Sequence, residues 1–296
     1  MVSKAQLLQF IVSGIMVGSI YAIIAIGFNM IFNATEVINF AQGEFVMLGG
    51  MTTVTFYQVF HLPLWFSCIL SVLLVTLVGI IFERLAIHPM KHFSVLNAVI
   101  ITIGASTIMR GGTMIALGRD NMSFPPFTGT GDKPFMILGS SIPQQGAWII
   151  LAALLLVFGL SLFYKRSIQG IAMRSIAWNK TAAELMGVNV KWIVMLSFAM
   201  SAASGALAGV LVTPITLTAY NVGLILGLKG FCAAILGGFG NFWGAICGGV
   251  LLGLLESLGA GLISSGYKDA IAFLVLLIVL FLRPTGLFGT VKIREE

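Results

Sequence analysis

Four ionisable side chains, Glu44, Arg110, Lys229 and Glu256, sit within or beside strongly apolar runs of this chain. At membrane depth such groups are costly, so they face a bundle interior or a watery cavity, where they pair or meet a solute. Glu44 closes the stretch NFAQGE (39–44), in which Asn39 and Gln42 add two amides. Lys229 lies in GLKG (227–230). Both stretches read as breaks in apolar helices. An interrupted helix exposes N–H groups at its N-terminus, which suit a carboxylate, and Glu44 can meet an ammonium group. Two readings stand together. Glu44 pairs with Lys229 across matching breaks, or Asn39, Gln42, Glu44 and Lys229 line a path for a solute. Arg110 lies toward the outer end of its run and reads as a side chain reaching for the headgroups.

Little else in the chain could do bond chemistry. His88 and His92 are four apart, but Pro89 lies between them and no third ligand is near, so they do not read as a metal site. Cys68, Cys232 and Cys247 lie in apolar runs without metal-like spacing and read as packing residues. No P-loop, GxSxG or HExxH pattern is present, and nothing looks catalytic. The expectation is a chain that is not an enzyme and holds no cofactor of its own.

The elements that must position these residues are membrane helices. Of 296 residues, 58% are hydrophobic and 9% charged, against about 25% charged in soluble domains; the mean hydropathy is +1.05. Apolar runs near the length of a membrane helix occur at about 7–31, 38–59, 63–83, 94–117, 146–164, 192–213, 222–240, 242–264 and 268–283. The fold class is therefore an all-α polytopic membrane protein with about 8–9 transmembrane helices. The uncertainty in number comes from the Gly-rich 222–264 region, which reads as two crossings or a re-entrant pair. The first run follows Lys4 and reads as a retained helix. The net charge of +6 is a topology signal. Lys165, Arg166, Arg174, Lys180 and Lys191 in 165–191 mark the cytoplasmic side, and Arg84 with Lys91, then Arg283, Lys292 and Arg294, fit the same side. The loop 118–145 balances Arg119 and Lys133 against Asp120 and Asp132 and carries Pro125, Pro126, Pro134 and Pro143; it reads as a structured outer loop. The N-terminus is then outside and the C-terminus cytoplasmic.

A faint repeat runs through the chain. LGG at 48–50 recurs at 236–238, each after a polar, Gly-containing break and each before an acid on a later run, Glu83 and Glu256. Four spans, one linker span and four more make an inverted repeat with broken helices, an arrangement that places a solute path at the repeat interface. GxxxG spacings at Gly14/Gly18, Gly205/Gly209, Gly240/Gly244, Gly244/Gly248 and Gly249/Gly253 predict close helix contacts.

The loop 165–191, KRSIQGIAMRSIAWNKTAAELMGVNVK, is long and basic and bounded by Gly170 and Gly187. Its interior suits an amphipathic helix, with Ile171, Ala172, Ile176, Ala183 and Met186 offering apolar surface to anionic lipid or to a soluble partner. TAAELMG (181–187) resembles the EAA-x-x-x-G signature of ATP-binding-cassette (ABC) importer permeases, with Thr181 where Glu is usual. GIAMRSIAWNKTAAELMGVNV, INFAQGEFVMLGG and YKDAIAFLVLLIVLFLRPTGLFG are similar to the matching parts of the branched-chain amino acid ABC importer permeases, and most similar to the LivH-type membrane subunit. Relatives often carry His where Gln42 stands.

That resemblance implies a single transmembrane permease domain over 1–296. It holds a first repeat at about 7–117, a linker helix at 146–164, a cytoplasmic coupling loop at 165–191 and a second repeat at about 192–283. It implies a second homologous permease subunit, two cytoplasmic ATPase subunits that bind ATP and Mg, a periplasmic solute-binding protein, and a place in the bacterial inner membrane amid lipid. Arg174, Ala183, Glu184 and Gly187 would lie on a coupling helix seated in the ATPase. Family solutes include leucine-like and other amino acids, amides, urea and aromatic acids. The alternative is a secondary transporter or channel that works without ATPases.

Overall fold

The computed structural model describes residues 3–89, 95–128, 134–137 and 140–289. Lys91, His92, Asp132, Lys133, Lys292 and Arg294 of the charge and ligand readings lie outside the described residues. Among the described residues eleven α-helices follow one another: α1 (Lys4–Thr35), α2 (Gln42–Gln58), α3 (Leu64–Phe82), α4 (Val95–Leu117), α5 (Gln144–Arg166), α6 (Ile168–Trp178), α7 (Lys180–Leu185), α8 (Val190–Thr216), α9 (Val222–Gly237), α10 (Phe242–Leu262) and α11 (Lys268–Leu282). A π-helical turn, Glu83–Ile87, prolongs α3. The loop between α4 and α5 carries an antiparallel hairpin, β1 (Phe135–Ile137) and β2 (Ser140–Ile142), in which Phe135 faces Ile142.

Nine of these helices coincide with the nine apolar runs. Among the described residues seven segments are long and apolar enough to cross a membrane. The Gly-rich region forms two separate helices, α9 and α10. The two remaining helices, α2 with 17 residues and α9 with 16, are shorter. Their placement explains the shortness. α1 ends where Glu36 turns to φ 57°, and α8 ends where Leu217 turns to φ 64°. Each end is followed by irregular chain, 36–41 and 217–221, and then by a short helix. The N-termini of the two short helices meet at Gly43 and Gly223. A Cβ on either glycine would run into the other's carbonyl oxygen. From this meeting point α2 runs toward the α4–α5 loop, where Gln58 Nε2 donates to the Ser123 carbonyl at 2.6 Å. The far end of α9 runs the other way, and Asn33 near the C-terminus of α1 donates to the Gly240 carbonyl at 3.1 Å.

The irregular segments carry backbone groups that must be satisfied if they lie at membrane depth. In 36–41, the Asn39 side chain accepts from Ala41 N at 3.0 Å, and the Asn39 carbonyl accepts from Gln42 N at 3.1 Å. In 217–221, Thr218 exchanges two 2.8 Å bonds with Met122 of the α4–α5 loop. One of the two expected breaks is therefore displaced. Residues 227–230, GLKG, are interior to α9; the break lies upstream. Gly227 and Gly230 serve contact instead, against Gly43 and under Ile24, and the helix keeps its own hydrogen bonds.

The contacts come in matching pairs. α1 packs on α9 and α10, and α8 packs on α2 and α3. Gly14 and Gly18 of α1 meet Gly249 and Gly253 of α10 backbone to backbone, while Gly205 and Gly209 of α8 meet Phe45 and Val46 of α2. Without water to expel, such close approach is what dispersion forces between membrane helices require. The main core follows from it: Ile20, Tyr21, Ile23 and Ile24 of α1 pack with Leu211 of α8, Ala233 of α9 and Leu252 of α10. α5 adds Ile149, Ala153 and Val157 to this core and α11 adds Ala272, but α4, α5 and α11 also carry long exposed apolar side chains, among them Ile108, Ile115, Leu154, Phe158, Leu277 and Phe281. Exposed apolar faces are what lipid-facing helices carry.

Candidate functional site

Glu44 and Lys229 do not pair. Each has its own partner, and the two clusters lie at different places in the bundle. Glu44 sits in the first turn of α2 and is buried. Its Oε1 takes a 2.7 Å bond from Arg110 Nη2 and a 2.8 Å bond from the Ser106 hydroxyl, both on α4. Its Oε2 faces Gly223 in the first turn of α9 and has no hydrogen-bond partner among the described residues. A carboxylate beside helix N-termini gains roughly 0.3–1 kcal/mol, up to about 2 when partly buried, and here two such termini converge. Arg110 is thus an inward partner of Glu44 rather than a snorkelling residue. Position along α4 suggested the membrane edge, but the bidirectional geometry of α2 and α9 brings an acid to it.

Asn39 and Gln42 are buried beside this cluster and act on backbone. Gln42 Nε2 donates to the Ser201 carbonyl at 3.1 Å, and its Oε1 lies 2.6 Å from the Ser201 hydroxyl, which is also 2.8 Å from the Gly27 carbonyl. Gln42 therefore ties α1, α2 and α8 together. Asn39 Nδ2 is buried with no partner among the described residues. Asn39 borders a narrow crevice with Thr35, Thr102 and Phe198.

Lys229 belongs to a second cluster, formed by α9, α10 and the start of α11. Its Nζ lies 2.9 Å from Glu256 Oε1 and 2.6 Å from Asp269 Oδ1. Lys268 Nζ is 3.2 Å from the same Glu256 oxygen, and the Tyr21 hydroxyl donates to Glu256 Oε2 at 2.8 Å. The Lys229 ammonium also lies 5.7 Å from the centre of the Tyr21 ring, within cation–π range. Lys229 and Glu256 are 4% and 1% exposed, and Asp269 and Lys268 sit at the more open rim. Two cations and two carboxylates sum to zero, as burial of charge demands.

Lys229 also opens onto space. A cavity of about 350 Å³ runs between α1, α8 and α9 at the end of the molecule that carries the α4–α5 loop. Its walls include Met16, Ile20, Ile149, Val212 and Leu226, and its polar groups include Lys229, Lys268 and Tyr21. Sequence reasoning missed Tyr21, Lys268 and Asp269. The adjacent Lys268–Asp269 pair was a visible signal, but its link to Lys229 depends on α11 folding back beside α10.

At the opposite end, the stretch expected to form one amphipathic helix is divided. Asn179 caps α7, accepting from Ala182 N at 2.9 Å, so α6 and α7 are separate. Gly170 is no boundary; it lies inside α6 beneath the Phe163–Tyr164 backbone. Gly187 does end α7, at φ 85°, with its N–H bonded to the Glu184 carbonyl. Met173, Ile176 and Ala183 pack against Tyr164, Val190 and Ile193, which holds the two helices to α5 and α8. Glu184 is exposed. Trp178, Leu185 and Met186 are 84–89% exposed. Arg174 lines a cavity of about 780 Å³ bordered by Trp178, Trp243 and the tail residues Pro284, Thr285, Phe288 and Gly289. That tail donates from Leu287 N and Phe288 N to the carbonyls of Leu236 and Gly237, capping the end of α9.

Comparison with known proteins bears on this arrangement. A family model described as branched-chain amino acid transport system / permease component matches residues 10–280. The high-affinity branched-chain amino acid transport system permease protein BraD of Pseudomonas aeruginosa is 33% identical over 97% of both chains. The LivH permease protein of the corresponding Escherichia coli system is 31% identical, again over 97% of both. The ribose import permease protein RbsC of Haemophilus influenzae is 27% identical over 93% of this chain and 84% of its own length. With its multi-pass helical architecture and a family match spanning nearly its whole length, the chain belongs to the branched-chain amino acid transport system permease family.

Proposed function

We propose that this permease is the membrane subunit of an ATP-driven importer and carries a small solute, most readily an amino acid with an apolar side chain. It would pair with a second homologous permease subunit, bind two cytoplasmic ATPases that hold ATP and Mg, and receive solute from a periplasmic binding protein. The chain itself would catalyse no bond chemistry. The observation that carries the reading is the surface at α6 and α7. Trp178, just before the TAAELMG motif, and Leu185 and Met186 within it stand exposed on a segment rich in Lys and Arg that Gly187 ends. Apolar side chains projecting from a charged, helical knob suit the cleft of a soluble partner. The basic residues at this end support placing it in the cytoplasm of a bacterial inner-membrane protein, with the C-terminus on the same side. The two matched halves, about 7–117 and 192–283, would rock about the α5 linker when the ATPases close.

The substrate class rests on the relatives' names and on the walls of the Lys229 cavity. Relatives at 31–33% identity are named for branched-chain amino acids, whereas the 27% relative is named for ribose. Beside the polar Gln9, Ser13, Thr216 and Lys229, the walls carry Met16, Ile20, Ile149, Val212 and Leu226, apolar surface on which an aliphatic side chain can pack. The test is affinity purification of the tagged chain from membranes that express the whole transport operon, for the wild type and for Arg174→Glu and Gly187→Trp. Co-purification of two ATPases and a second permease, lost in both variants, is the expected result. A single chain that carries solute in vesicles on an ion gradient alone would overturn the ATP-driven reading and favour a secondary transporter.

A further inference from the structure

The chamber of about 780 Å³ beside α6 has a wall whose chemistry the importer reading does not use. The ends of α1 and α5, one side of α6, the α9–α10 turn and the tail after α11 enclose it. From α5 come Val157, Ser161, Tyr164 and Lys165, spaced at three and four residues and so on one helix face. The enclosure is tied together. Asn33 Nδ2 of α1 donates to the Gly240 carbonyl at 3.1 Å, and Asn241 Nδ2 donates to the Phe288 carbonyl of the tail at 3.2 Å.

Three features of the wall point to one ligand chemistry. Much of it is aromatic: the Phe32 and Phe239 rings lie 4.8 Å apart, and those of Tyr164 and Phe242 lie 4.7 Å apart. Lys165 and Arg174 add two cations, and neither pairs with a carboxylate among the described residues. Glu36 is the one acid in the wall, so the charged residues there leave an excess of one positive charge. Tyr164 is 6% exposed, and its hydroxyl has no hydrogen-bond partner among the described residues. A buried hydroxyl without an acceptor is costly, and native proteins seldom keep one.

We infer that this chamber binds an anionic phospholipid of the cytoplasmic leaflet. The lipid phosphodiester takes Lys165 and Arg174, the Tyr164 hydroxyl donates to a lipid oxygen, and the acyl chains lie along Val157, Ile235 and Phe239. Naming that leaflet rests on the cytoplasmic placement of this end proposed above; the chemistry of the wall does not. One phosphodiester carries the single negative charge that the wall lacks, and basic pockets between membrane helices on the cytoplasmic side suit such headgroups. A free phosphate would meet the same cations but leave the aromatic wall without apolar surface to cover it. Trp178 and Trp243 stand exposed at the border of the chamber, as amphipathic rings do at headgroup level.

The experiment titrates the purified, delipidated full-length permease with phosphatidylglycerol, phosphatidylcholine, diacylglycerol or sn-glycerol 3-phosphate, and reads bound lipid by native mass spectrometry and the shift in melting temperature. Lys165→Gln, Lys165→Arg, Tyr164→Phe and Ser161→Trp are compared with the wild type after each elutes as a single species. Arg119→Gln, which removes a cation from the loop at the other end of the bundle, is the control for general attraction of anionic lipid. The expected result is a saturable phosphatidylglycerol site that Lys165→Gln weakens about fivefold, since one basic residue near anionic lipid contributes about 1 kcal/mol. Ser161→Trp should weaken it at least as much by filling the chamber, Tyr164→Phe should weaken it less, and Lys165→Arg and Arg119→Gln should leave it intact. Equal binding of phosphatidylcholine or diacylglycerol, affinity unchanged in both Lys165→Gln and Ser161→Trp, or an equal loss in Arg119→Gln overturns the site. Displacement by glycerol phosphate at the same concentration overturns the lipid in favour of a soluble phosphate. Co-purification of the ATPases is scored separately: its failure removes the importer reading and leaves the lipid measurement standing, and the reverse result removes only the lipid site.

Discussion

Glu44 shows how a single buried carboxylate is accommodated when no lysine lies opposite. Arg110 and Ser106 satisfy one oxygen, and the other faces the first turn of α9. Replacing Glu44 with Gln would keep the shape and remove the charge, leaving Arg110 without its counter-charge. Arg110 retains 28% side-chain exposure, so the cost falls below the roughly 3–5 kcal/mol of breaking a fully buried pair. The expected outcome is a lower melting temperature for purified Glu44→Gln and a loss of uptake. Glu44→Gln combined with Arg110→Met should recover much of the lost stability, and a double-mutant cycle in thermal unfolding measures the coupling. Additive losses would show that the two residues act independently.

At the level of elements, the crossing of α2 and α9 depends on two glycines. Gly43 and Gly223 allow the N-termini of both short helices to approach backbone to backbone. Gly43→Ala or Gly223→Ala should force them apart, at a cost on the order of the 1–3 kcal/mol typical of overpacking, and should reduce the yield of monodisperse protein. Gly104→Ala on α4 is the control: nothing lies within 4 Å of its Cβ position, and Ala is the better helix former, so its yield should match or exceed that of the wild type. Fluorescence-detected gel filtration of the three variants gives the comparison. Equal yields for all three would mean that the crossing tolerates separation.

At the scale of the molecule, the proposed orientation is testable end by end. α2 and α9 diverge from one meeting point, so the α4–α5 loop and the α6–α7 knob lie at opposite ends of the bundle. A reporter active only in the periplasm should work when inserted at residue 128 and fail when fused after residue 289. A fluorescent protein that matures only in the cytoplasm should do the reverse. The same pattern at both positions would refute the expected topology.

Much of the molecule was legible in the chain because lipid imposes a simple rule. Each crossing must satisfy its own backbone with helix and face hydrocarbon with apolar side chains, so nine helices appear as nine apolar runs. The small-residue spacings likewise foretold close helix contacts, since glycines four residues apart let a backbone approach, but which helices meet, Gly14 and Gly18 of α1 with Gly249 and Gly253 of α10, came only from the fold. Side-chain partners were not legible. GLKG reads locally as a break, yet tertiary contact with Gly43 and Ile24 keeps α9 continuous through it, and the break falls at 217–221, where Met122 supplies the missing hydrogen bonds. Glu44 and Lys229 have opposite charges and similar settings, which in one dimension invites pairing. Only the folding back of α4 and α11 decides that Glu44 meets Arg110, and that Lys229 meets Glu256 and Asp269. Sequence by itself determined which segments enter the membrane, because burial in lipid depends on composition. Tertiary structure decided which charges neutralise each other, because Coulomb attraction depends on distances that arise only once separate helices are packed.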